Sequence, residues 1–206
     1  MARLHVVTVS AFLISVSCLA LGQTDVTESI LWFHPNQEVR VANLPSLTAP
    51  STDSSAVLTT ALETVLHDKT VCCGKDSGLE SAVLSGPRSL KELSVKLQGR
   101  HLLSDGQAIV VSAQYVPQSA ISSGLIIGAL LDQHAALIEW KSHLYVLHGA
   151  IFNETRYSSG ARQYAIVKLL LLDPRFSVQR RETVFNRETD DWAEVQGLLT
   201  LAVARQ

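Results

Sequence analysis

Three apolar runs crowd into a stretch of fewer than forty residues: Ala135 to Trp140, His143 to Phe152 and Gln163 to Leu172. Only Lys141-Ser142 separates the first two, and a two-residue joint makes them an antiparallel hairpin, since parallel strands need a long crossover. The polar stretch Asn153 to Gly160 reads as a loop leading into the third run. Upstream, the β-branched run Ala108 to Val116 reads as a further strand. Ile30 to Ala42 alternates loosely enough for one short strand, and Leu198 to Ala204 closes the chain as either a strand or a helix.

Helical periodicity dominates the first half. Ala56 to His67 places Val57, Leu58, Ala61, Leu62, Val65 and Leu66 on one stripe behind Ser54 or Ser55 as N-cap. Ser77 to Ser85 opens on a Ser-x-x-Glu capping box, Ser77 with Glu80. Ser89 to Gln98 carries Leu90, Leu93 and Leu97 and stops at Gly99, a residue suited to ending a helix. Ser119 to Gln133 reads as another helix. Helices first and an antiparallel sheet afterwards predict an α+β domain. Asn43 to Ser55, rich in Pro, Ser and Thr, reads as a connector.

The N-terminus reads as an address. Arg3 precedes an uncharged apolar stretch, Val6 to Gly22, which ends in Ala20-Leu21-Gly22 with small residues where a signal peptidase reads them. Residues 1–22 are thus expected to be a signal peptide, the mature chain to begin near Gln23, and the protein to be exported with no membrane span left after cleavage. Of three cysteines, Cys18 leaves with that segment, and only the adjacent pair Cys72-Cys73 remains. Neighbouring cysteines rarely bond to one another, and two thiols without Cys-x-x-Cys or His-x-x-x-His spacing do not build a zinc site. No cofactor or metal is expected. With 17 Lys and Arg against 19 Asp and Glu the chain lacks the basic excess that phosphate backbones demand, which argues against nucleic acid as a partner.

One constellation could carry chemistry. Cys73-Gly74-Lys75-Asp76-Ser77 stands at the start of the Ser77 helix, where exposed N–H groups and the helix dipole favour a thiolate. His143 opens a strand, and Leu172-Asp173-Pro174 ends the next one. A thiol, a base to take its proton and an acid to orient the base are the parts of a nucleophilic triad. The bland readings are a small buried cysteine, a strand-end histidine bonded to a backbone carbonyl, and an Asp-Pro turn. His148 and His134 are the alternative bases.

At these residues the sequence resembles the papain-like cysteine peptidases, in particular the compact bacterial branch related to the bacteriocin-leader (double-glycine) peptidases. The resemblance spans roughly Ser55 to Phe176 and rests on Cys73-Gly74-Lys75-Asp76-Ser77, on Leu125 to Leu131 followed by Ala135 to Trp140, on His143-Leu144-Tyr145-Val146-Leu147-His148-Gly149, and on Leu172-Asp173-Pro174. It implies a papain-like domain over residues 55–206, preceded by an extension and linker over 23–54. It also implies a thiol hydrolase acting on peptide or amide bonds through Cys73, His143 and Asp173. The chain departs from the family in one respect: no Gln stands between Asn43 and Cys73, where a side chain of the oxyanion hole is expected, and His67 occupies that place. Loss of one such donor costs about 10²–10³ in rate. A papain-like domain that binds peptide or cell-envelope components without turnover is the alternative.

Overall fold

The computed structural model describes residues 28–42, 44, 54–66, 89–102, 106–176 and 182–205. Cys72, Cys73 and the Ser77 helix lie outside the described residues. The described part is α+β, with three α-helices and an eight-stranded antiparallel sheet. In chain order the elements are β1 (Ile30–Arg40), α1 (Ser54–Leu66), α2 (Leu90–Leu97), β2 (Gly99–Leu102), β3 (Ala108–Pro117), α3 (Ser123–Leu131), β4 (Ala136–Trp140), β5 (His143–Tyr157), β6 (Arg162–Leu172), β7 (Glu182–Asn186) and β8 (Val195–Arg205). The helices are interleaved with strands and do not form an N-terminal block: β1 precedes them all, and α3 falls between β3 and β4.

The sheet runs β2-β3-β8-β4-β5-β6-β7, and β1 joins it on β5. Residues 143–147 of β5 pair with β4, whereas residues 149–157 pair with β1. Since β6 occupies the opposite edge over residues 146–156, β4 and β1 follow one another end to end along the same side of β5. The join is made by Val41 N–H donating to the His148 carbonyl at 2.8 Å. Gly149 permits this crossing, because a Cβ there would meet the Val39 carbonyl at 2.8 Å and Leu170 Cδ1 at 2.9 Å. Residues 30–40, inside the stretch whose composition suggests an extension, therefore belong to the sheet, and Val39, Val41 and Leu44 are buried in its core.

Lys141 and Ser142 both take positive φ, 52° and 59°, the conformation of a two-residue type I′ turn that matches the twist of a hairpin. The predicted loop Asn153 to Gly160 is mostly strand. Its residues are polar and half-exposed, but β1 on one side and β6 on the other satisfy their backbone groups, and the turn is confined to Ser158–Gly160. Leu198 to Ala204 is strand, the centre of β8, held between β3 and β4. The helix expected from Ser119 starts at Ser123, where the Ser122 hydroxyl caps it by accepting from Leu125 N–H.

Leu93 and Leu97 of α2, Ile126, Ile127 and Leu130 of α3, and Ala61 and Leu62 of α1 are almost fully buried against Leu137, Ile138, Leu147, Leu169, Leu171 and Leu198 of the sheet. Each such Leu or Ile contributes about 1.5–3 kcal/mol by leaving water. The end of β1 is fixed by Gln133, whose side-chain oxygen accepts from Ala42 N–H at 2.8 Å. Among the described residues no helix is long and apolar enough to cross a membrane.

Candidate functional site

The antiparallel pairing of β5 and β6 brings the start of one strand to the end of the other. Its last paired residues are Val146 and Leu172. Continuing that register by one residue sets Asp173 opposite Tyr145, and side chains two apart share a face. His143 and Asp173 thus stand at the same end of the sheet, His143 on the face of Tyr145. Trp140, paired with His143 across the hairpin, shares that face.

Each of the two polar side chains has its own hydrogen-bonding partner. His143 is exposed, and its Nδ1 lies 2.7 Å from the Lys141 carbonyl. A carbonyl can only accept, so Nδ1 carries the proton and Nε2 presents a lone pair in the neutral ring. Asp173 is buried, with 4% of its surface exposed. Its Oδ1 accepts from the Arg175 backbone N–H at 3.0 Å and from Arg175 Nε at 2.8 Å, and its Oδ2 accepts from the Arg175 guanidinium Nη2. The first of these bonds is the local turn that Asp-Pro favours. A carboxylate oxygen can accept about two bonds, so Oδ2 keeps room for one more donor.

Tyr145 lies close enough to Asp173 and Arg175 to feel both charges. Hydrogen bonding to Asp173 raises the Arg175 pKa beyond the ordinary arginine value. Burial raises the Tyr145 phenol above its ordinary 10.0, and the Asp173 carboxylate adds to this. An aromatic floor continues from there: Trp140 packs against Tyr145 and Phe185 at ring-centroid distances of 5.7 and 5.4 Å, and Phe185 against Trp192 at 5.5 Å. Lys141 lies over the Trp140 ring at 4.7 Å and faces Glu194 at 3.3 Å.

The alternative histidines sit elsewhere. His148 is the extra residue of a β-bulge, since Leu147 pairs with Leu171 and Gly149 with Leu170. It is buried, with Nε2 3.1 Å from Glu182 Oε2, and Glu182 also pairs with Arg40. His134 is exposed after α3, at the rim of a cavity of about 550 Å³ that Val65, Gln133 and Leu201 also line.

The partner of Asp173 is Arg175, which the sequence reading did not single out. The signal was present in Asp173-Pro174-Arg175: an Asp whose side chain closes a turn over its own backbone holds the residue two positions on within reach. Tyr145 could have been found by period-two counting from His143. Among the described residues no group of three or more His, Cys, Asp or Glu could hold a metal ion. No protein-family model matches the chain, and neither a curated protein nor a solved structure matches it.

Proposed function

We propose that the chain is an exported papain-like thiol hydrolase acting on peptide or amide bonds, with Cys73 as nucleophile, His143 as base and Asp173 as the acid behind the base. The observation that supports this reading is the β5–β6 register, whose last pair, Val146 with Leu172, brings the opening of β5 and the end of β6 to the same end of the sheet. In the cycle the Cys73 thiolate attacks the substrate carbonyl carbon, and the proton it gave to His143 passes to the leaving amine. Water then hydrolyses the thioester, restoring the thiol and releasing the acid. The free Nε2 of His143 is the acceptor such a step needs. Peptide or protein is the substrate class.

A second reading is favoured by one feature: Asp173 is clamped by Arg175, and the tautomer of His143 is set by a backbone carbonyl. In that reading the same face binds an extended peptide or a cell-envelope component without turnover.

Alkylation separates the two. A catalytic Cys73 reacts with iodoacetamide at mildly acidic pH, where a thiol of pKa about 8.5 is protonated, and slows in His143→Ala while Cys72 barely changes. Equal, slow labelling of both thiols, unaffected by the substitution, leaves the binding module. Export with cleavage near Gln23 is checked by the mass of the exported chain, and an intact Met1 to Gly22 segment overturns it.

A further inference from the structure

The first half of β1 exposes three large apolar side chains in a row of four residues: Ile30, Leu31 and Phe33 are 59%, 61% and 55% exposed. A single exposed apolar residue is ordinary, whereas a contiguous group marks a contact surface. Here β1 lies on the distal half of β5, which is backed by β6, so the three strands form a ribbon closed by the Ser158–Gly160 turn. Ile30 pairs with Tyr157 and Phe33 with Thr155, which sets Ile30, Phe33 and Tyr157 on one face. Leu31 stands in the register break between Ile30 and Trp32. On the other face Arg156 lies over the Trp32 ring at 5.1 Å, and Arg162 faces Glu154 at 3.6 Å.

We infer that this ribbon tip is a membrane-docking surface that rests in the headgroup boundary of a lipid bilayer. Two observations select lipid over a second protein. Pairing through the open edge of β1 is interrupted just after Phe33: Pro35 has no N–H, Asn36 has φ 51°, and the register breaks between His34 and Gln37. Three side chains also fall far short of the roughly 800 Å² per partner that a stable protein interface buries. The chain, moreover, enters the tip directly from the apolar Val6 to Gly22 segment, and residues 23–29 can span at most about 25 Å. A bilayer that took up the apolar segment would thus lie within that reach of the tip. An apolar face flanked by Trp, Tyr and Arg has the composition of an interfacial anchor.

Charge contributes little to this contact. At the tip, Arg156 and Arg162 are offset by Glu154 and by Glu28, and His34, Tyr157 and Tyr164 are the other titratable groups there. Binding should thus depend on apolar insertion and be nearly indifferent to salt and to anionic lipid.

The inference is independent of whether Cys73 is a nucleophile. Its test uses the exported chain, its N-terminus fixed by mass, with phosphatidylcholine vesicles alone and with one-third phosphatidylglycerol. The expected result is co-sedimentation with both, unchanged between low and physiological salt. Leu31→Ser or Phe33→Ser should each lower the partition coefficient about tenfold or more, with unfolding midpoints close to the parent. If the leader is retained, sedimentation reports the anchor. The reading is then the emission of Phe33→Trp in a Trp32→Phe background, which brominated acyl chains should quench. Absence of both co-sedimentation and quenching overturns the inference. So does a lipid-independent dimer in light scattering that Phe33→Ser dissolves, because a second copy would then own the surface.

Discussion

Asp173 accepts the guanidinium of Arg175, two residues along its own chain, while His143 turns its Nδ1 to the carbonyl of Lys141, two residues back along its own. The pair is one-sided in burial: the Asp173 side chain is 5% exposed and that of Arg175 36%. Removing the arginine therefore leaves a buried carboxylate with only the Arg175 backbone N–H as donor. Arg175→Ala should destabilise the protein by about 2 kcal/mol, read as a lower urea midpoint at unchanged m-value. Asp173→Asn in the same background should recover part of the loss, since a neutral amide is cheaper to bury than an unpaired charge. An additive double variant would show that the two side chains do not depend on one another.

The hairpin turn ahead of His143 carries conformational cost. Neither Lys141 nor Ser142 is suited to positive φ, and each residue held there costs about 1–2 kcal/mol relative to glycine. Ser142→Gly should raise stability by about 1 kcal/mol, partly offset by the greater freedom of an unfolded glycine. The check is a thermal midpoint, with the His143 imidazole chemical shifts confirming that the ring keeps its place.

Gly149 offers the opposite case. A methyl group there meets backbone at one side and Leu170 at the other, so neither neighbour can yield without opening the β1–β5 crossing. Gly149→Ala should cost about 1–3 kcal/mol, and amide exchange should accelerate first in residues 37–41.

Glu139 on β4 gives a pH signature. Burial alone raises its pKa above the ordinary 4.5. The folded chain then holds a proton that the unfolded chain has released, so stability falls as pH rises from about 4.5 through the raised folded value. Glu139→Gln should accordingly raise the melting temperature at pH 7 and change it little near pH 3.5. An equal gain at both pH values would place the effect in packing.

The cap of α2 is a local test. Ser89 Oγ accepts from Glu92 N–H at 3.2 Å, and Ser89→Ala should cost about 1 kcal/mol by equilibrium unfolding.

Elements whose signal is local were legible. The cap at Ser89 and the stop at Gly99 bracket α2 within a residue, and the Lys141-Ser142 joint falls where the sequence sets it. What failed was settled by distant partners. Asn153 to Tyr157 looks like loop because its residues are polar, yet it is strand because Ile30–His34 and Arg162–Ala165 bond to both its edges. The short β7, Glu182–Asn186, has one buried apolar residue, Phe185, and no alternation strong enough to read. At the site, His143 opens β5 and Asp173 follows the end of β6, and each bonds within its own stretch of chain. The reading of His143 as a strand-end histidine bonded to a backbone carbonyl, and of Asp173 as an Asp-Pro turn, matches the bonds they make; the guanidinium of Arg175 on Asp173 was not drawn from the sequence.

The sharing of β5 between β4 and β1 has a consequence in time. Val39 and Arg40 pair with Ala150 and Gly149, about a hundred residues later in the chain. A polypeptide that emerges N-terminus first therefore makes its first strand long before the edge that strand belongs to exists. The hairpin of β4 and β5 can close locally and early, whereas β1 must wait and find a long-range partner, the slower kind of contact to form. Throughout that interval Val39, Val41 and Leu44, buried in the finished core, travel without their neighbours, and they stay open to unwanted contacts until β5 has been made.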